Sequence, residues 1–177
     1  LTMLGHVLAD QPIVIEMTKT RVLASELVSL VQATGVSVVC IADLPGPVLP
    51  YLYPSRYCQS DRLHQMAVKE FGQLWQGYSR VQAIRDWVQN RVTFRSNSST
   101  GNTTAVDTLI EEVGVCRDFA HLMIALCRAV NIPARFATGI DYGAAPVLGP
   151  PDFHAYVEVY LGGRWYIFDP SGVAIPM

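Results

Sequence analysis

Two adjacent glycines, Gly162 and Gly163, break an alternating run near the end of this 177-residue chain and constrain its fold more than any other feature. The run "FHAYVEVYL" (Phe153–Leu161) leads in and "RWYIFDP" (Arg164–Pro170) leads out. A glycine pair supplies the two positive φ values of a tight two-residue hairpin turn. Such a turn pairs Leu161 with Arg164; counting outward, Tyr156 faces Asp169 and His154 faces Ser171. His154 and Asp169 then lie on one sheet face as diagonal neighbours. Their Cα atoms are expected roughly 7–8 Å apart, close enough for an imidazole–carboxylate hydrogen bond. A carboxylate behind a histidine fixes its tautomer and stabilises the imidazolium.

Further upstream, "GVCRDFAHLMIALCRAVNIPARF" (Gly114–Phe136) predicts a helix that stops before Pro133. Phe119, Leu122, Met123, Leu126, Ala129 and Val130 form one broad apolar face. Cys116 falls in the first turn, where unpaired backbone N–H groups and the helix dipole favour an anion. Thiolate is the reactive form of cysteine, yet cysteines are also common as inert core residues. Position alone does not separate the two. The order Cys…His…Asp, with a paired His154 and Asp169, points to nucleophilic catalysis.

Neighbouring groups fit that assignment less well. His121 is turned about 140° around the helix from Cys116 and reads as a surface or packing histidine. Cys127 lies about 16 Å further along the same helix and reads as core. Asp118 complements the dipole in the first turn. Asp152, behind Pro150 and Pro151, sits at the strand entrance as a rival carboxylate. No motif surrounds His6 or His64.

Length allows one real core, burying roughly 70 % of the unfolded surface. Half the residues are hydrophobic, 16 % are charged, and the formal net charge is −2 with a pI of about 6.1. Such a balance offers nothing to nucleic acid or to an acidic membrane surface. No apolar run reaches membrane-spanning length and no signal peptide is visible, so a cytoplasmic location is expected. Cys40, Cys58, Cys116 and Cys127 match no zinc spacing and no disulfide framework, and are expected as free thiols.

Residues 1–50 read as a β-rich N-terminal extension, with strands at Pro12–Met17 and Gly35–Leu44 and a Pro-rich boundary after them. Residues 51–177 form the second unit. Within it, Ser60 is expected to cap a helix through about Gly72, and Ser79 another through about Arg91. Val81, Ile84, Trp87, Val88 and Val92 form a core stripe on the latter. Asp107 is expected to cap a short helix ended by Gly114.

"GVCRDFAHL" (Gly114–Leu122) and "PDFHAYVEVYLGGRWYIFDPS" (Pro151–Ser171) resemble the transglutaminase-like superfamily, in particular its bacterial cysteine-protease-like branch. "YPSRYCQSDRL" (Tyr53–Leu63) and "RVQAIRDWVQN" (Arg80–Asn90) resemble the segments that precede that core. The resemblance covers about 53–171. It implies a papain-like α+β fold with the cysteine helix packed on an antiparallel sheet. It further implies Cys116 as nucleophile, His154 as base and Asp169 as orienting carboxylate. Members of this branch continue beyond the aspartate strand, so the core is expected to be C-terminally truncated relative to them.

The reaction expected is acyl transfer from a peptide or glutamine-type amide, with the Cys116 backbone N–H as an oxyanion donor. Water as acceptor makes the enzyme a peptidase or deamidase; an amine makes it a transglutaminase. No metal or organic cofactor is expected, the partner is a peptide or protein substrate, and neither nucleic acid nor membrane is involved. The competing class is a non-enzymatic peptide-binding module on the same cleft.

Overall fold

The computed structural model describes residues 41–140 and 153–172. Helix α1 (Ser60–Phe71) places Leu63, Ala67 and Phe71 on one buried stripe, four residues apart. Helix α2 (Tyr78–Arg91) buries Val81, Ile84 and Val88 as expected, with Trp87 packed beside them. Buried Arg80 donates from its guanidinium to the carbonyls of Gly72 and Leu74, just beyond the end of α1, so a charged side chain joins the two helices.

A two-residue strand β1 (Thr93–Phe94) runs parallel to β2 (Val113–Gly114), with α3 (Ala105–Glu111) between them in sequence. Helix α4 (Cys116–Ala129) follows and is buried along most of its length. It packs against α1, α2 and α3 and against the sheet. Phe119, Leu122, Met123 and Leu126 are sealed from solvent, each contributing about 1.5–3 kcal/mol by leaving water.

Strands β3 (Ala134–Ile140), β4 (Phe153–Leu161) and β5 (Arg164–Phe168) form an antiparallel sheet in that order. The turn has Gly162 at φ 53° and Gly163 at φ 90°, and Leu161 pairs with Arg164 through to Val157 with Phe168. That is the expected register. Ala155, Val157, Val159 and Leu161 enter the core shared with α4. Tyr160 instead packs with Leu44 and Val48 of the preceding segment. Arg135 closes this side, bonding Glu158 at 2.7 Å with its guanidinium 4.1 Å over the Trp165 ring.

Several local expectations are corrected. Ile41–Asp43, the end of the expected strand Gly35–Leu44, is a 3-10 turn in which the Leu44 N–H bonds the Ile41 carbonyl. Gly46–Leu52 is a second 3-10 segment, its prolines unable to donate to a strand ladder. The rest of that strand and Pro12–Met17 lie outside the described residues. Gln59, not Ser60, precedes the first turn of α1, where Ser60 is itself buried and helical. Gly77, at φ 109°, starts α2 ahead of Ser79. Asp107 is the third residue of α3, accepting from Thr104 N–H at 2.9 Å while Thr104 Oγ1 accepts from its amide. The Thr104 hydroxyl also donates to the Asp107 carboxylate at 2.7 Å, and that bond, together with the one from the Thr104 amide, holds the Asp107 carboxyl below its usual range. Glu112, in the left-handed region at φ 54°, ends the helix before Gly114, which belongs to β2.

Candidate active site

His154, near the start of β4, is buried, and its Nε2 lies 3.1 Å from Asp169 Oδ1 just past the end of β5. The hairpin register thus delivers the pair it predicts. With a carboxylate as acceptor, Nε2 carries the proton and donates. The His154 and Tyr156 rings meet at 4.7 Å between centroids, which limits how the imidazole can turn.

Ser171 completes this cluster. Its backbone N–H lies 2.9 Å, and its hydroxyl 2.6 Å, from the same Asp169 Oδ1. The hydroxyl is also 3.4 Å from His154 Nε2. The hairpin register places Ser171 opposite His154, and the sequence alone assigns it no role. The signal is present in the register, since a polar residue paired with a candidate histidine is itself a candidate.

Cys116 is the first residue of α4, partly buried, and packed at the margin of the main core. Among the described residues it takes no part in the His154–Asp169–Ser171 hydrogen bonds. Its turn is anchored from behind. Asp118 is fully buried, accepts from the Val115 N–H at 2.9 Å, and pairs with the Arg117 guanidinium at 3.3 Å. A Cβ at Gly114 would stand 2.8 Å from Asp118 Cβ, so only glycine admits this approach. Arg117 also donates to Ser99 Oγ at 2.5 Å and to the Thr100 carbonyl at 2.8 Å. Sequence position alone predicts only a dipole role for Asp118; its bond to the Val115 amide is the half of a capping box that valine allows.

The other candidates are engaged elsewhere. His121 stacks on Tyr57 with centroids 5.2 Å apart and also meets Phe136. Burial pushes it down to about 4, with Asp118 opposing that shift and Arg117 adding to it. It is a packing histidine. His64 Nδ1 meets the Ala129 carbonyl at 2.9 Å, at the end of α4. Cys127 is fully buried and its thiol is pushed up to about 12 by that burial. Cys58 is likewise raised by burial. His6, Cys40 and Asp152 lie outside the described residues. Among the described residues no group of three His, Cys, Asp or Glu is placed to hold a metal ion, and no helix is long and apolar enough to cross a membrane.

Comparison with known proteins places this arrangement in a family. The profile of the Transglutaminase-like superfamily matches residues 65–170. The chain is 28 % identical over 95 residues to an uncharacterized protein of Mycobacterium leprae, covering 51 % of this chain and 34 % of that one. It is 26 % identical over 143 residues to the uncharacterized protein YebA of Bacillus subtilis, covering 68 % and 19 %. Among solved structures, a candidate cysteine protease from Cytophaga hutchinsonii is 51 % identical with a TM-score of 0.75, covering 81 % of this chain and 48 % of that one. The periplasmic domain of TgpA from Pseudomonas aeruginosa shares the fold, at 22 % identity, a TM-score of 0.58 and coverage of 74 % and 51 %. The chain spans about a third or less of the two curated relatives and about half of each of these structures. With the family profile spanning more than half its length and a helix-on-antiparallel-sheet α+β core, this chain belongs to the transglutaminase-like superfamily.

Proposed function

We propose that the protein catalyses thiol-dependent acyl transfer from peptide or protein amides, with Cys116, His154 and Asp169 as its triad and water as the acceptor. The observation that carries this reading is the 3.1 Å contact between His154 and Asp169 in a chain of this family, whose cysteine opens the central helix. In this scheme Nε2 is committed to Asp169, which leaves Nδ1 as the basic nitrogen. Cys116 gives its proton to Nδ1 and its sulfur attacks the amide carbon, forming a tetrahedral oxyanion. The Cys116 backbone N–H, among the unpaired amides of the first turn, donates to that oxygen. Collapse breaks the C–N bond, His154 returns the proton to the leaving amine, and a thioester remains. Water then attacks the thioester, leaves a proton on His154 and releases the acid, and the sulfur recovers its proton. Asp169 stays ionised and holds the ring throughout.

The test is activity profiling of the wild-type chain and Cys116→Ala against peptides and glutamine donors, with and without a primary amine. Hydrolysis lost in Cys116→Ala is expected. Isopeptide formation with the amine would reassign the acceptor, and binding without turnover would mark a peptide-binding module. A short bifunctional alkylator, 1,3-dibromoacetone, supplies an independent arm. It should bridge Cys116 to His154, and failure to do so while Cys116 is alkylated would break the triad.

A further inference from the structure

We propose that Ser171 is a positioning residue that sets the orientation of the Asp169 carboxylate, and through it that of the His154 imidazole; this rests on the triad proposed above. An aspartate's terminal torsion is broad, so its carboxylate can swing unless it is held. Here two donors from one residue hold it. The Ser171 hydroxyl at 2.6 Å and the Ser171 amide at 2.9 Å both end on Oδ1, the oxygen that also receives His154 Nε2 at 3.1 Å. A carboxylate clamped at the oxygen that faces the imidazole cannot rotate without giving up all three bonds.

The backbone makes the clamp possible. Pro170, between the two residues, has a fixed φ, and the amide two positions after an aspartate is placed to meet its side chain. Gly172 follows at φ 67°, a left-handed conformation that favours glycine directly after the serine. Ser171 is itself buried, and bulk water is poorly placed to substitute for its hydroxyl. The hydroxyl also stands 3.4 Å from His154 Nε2 itself. The serine therefore touches both members of the pair while acting on the reaction only through them.

The experiment uses the rate of Cys116 alkylation by iodoacetamide, followed from about pH 5 to pH 8, because it needs no identified substrate. Wild type, His154→Ala, Ser171→Ala, Ser171→Thr, Asp169→Ala and the Ser171→Ala/Asp169→Ala pair are compared, with thermal melts to verify folding. His154→Ala should slow alkylation near pH 6. If it does not, the triad is wrong. Given that slowing, Ser171→Ala should cost about tenfold, and Ser171→Thr, which keeps the hydroxyl, should stay near wild type. In the Asp169→Ala background the same Ser171→Ala change should cost less than about twofold, because no carboxylate remains to be held. A Ser171→Ala protein that alkylates like wild type overturns the proposal while leaving the triad standing. So does an equal loss in both backgrounds.

Discussion

The two ends of helix α4 carry the same side chain in opposite settings. At its start, Cys116 is partly buried in a turn whose leading amides precede the first helical carbonyl, with Asp118 bonding the Val115 amide behind it. At its other end Cys127 is sealed among apolar neighbours, and burial pushes its thiol to about 12. There the helix carbonyls are taken up: the Ile132 amide meets the Cys127 carbonyl, the Asn131 amide that of Arg128, and His64 that of Ala129, while the Arg128 guanidinium grips the Ala134 carbonyl at the start of β3 with two nitrogens at 2.9 and 2.8 Å. One end is built to present a group and the other to close a core. What distinguishes the two cysteines is position in the fold, because their chemistry is identical.

The largest break of this contrast is expected at Cys116, the proposed nucleophile. Cys116→Ala should lose at least about a thousandfold in turnover, with a melting temperature close to wild type. Turnover that persists at a tenth of wild type would remove Cys116 from the chemistry. Asp169→Asn should come next, falling by about a hundredfold or more. The amide can donate to the ring and favour the wrong tautomer, yet the nucleophile is still there. Steady-state rates of both variants on one substrate check this ordering.

Smaller effects test the scaffold at each end. Asp118→Asn removes a buried charge that meets both Val115 N–H and Arg117, and should destabilise the chain by about 2 kcal/mol in urea unfolding. Cys127→Ser buries a hydroxyl in an apolar site and should cost about 1–3 kcal/mol while turnover per folded molecule stays at the wild-type level. Reactivity with iodoacetamide that vanishes in Cys127→Ser rather than in Cys116→Ala would invert the comparison.

The smallest effect concerns pH. Burial holds His121 neutral in the folded chain down to about 4, against 6.5 for a free imidazole. Between those values the unfolded chain binds more protons, so the His121 contribution is complete above about pH 6.5 and is lost as pH falls towards 4. His121→Phe keeps a ring on Tyr57 and should flatten that decline by about 1–2 kcal/mol between pH 7 and pH 4. Parallel pH profiles for variant and wild type would show that the imidazole titrates freely.

What the sequence made legible was periodic or counted. The Gly162-Gly163 turn fixed the pairing of β4 with β5, and that arithmetic alone put His154 beside Asp169. The core stripes of α2 and α4 followed from helical spacing. Less legible was whatever depends on one residue of offset or on irregular backbone. Ser60 and Gln59 both precede an apolar stripe, and only burial of the serine decides between them. The reach of Arg117 to Ser99 and Thr100 crosses a loop without periodicity, so no spacing foretold it. Leu44 and Val48 flank a Pro-rich stretch without periodicity, so no spacing foretold that they pack on Tyr160.

The hairpin also sets a rule for how such a chain can change length over generations. Side chains in a strand alternate, so one residue gained between Gly163 and Asp169 would carry the carboxylate to the opposite face from His154. One residue gained on each arm leaves the partners matched. Insertions and deletions are thus tolerable here only as matched pairs. Among descendants that keep the same two-residue turn, the interval of 15 positions from His154 to Asp169 should change by even steps or not at all. A lineage that breaks this parity has to bulge a strand to compensate, or abandon the pair.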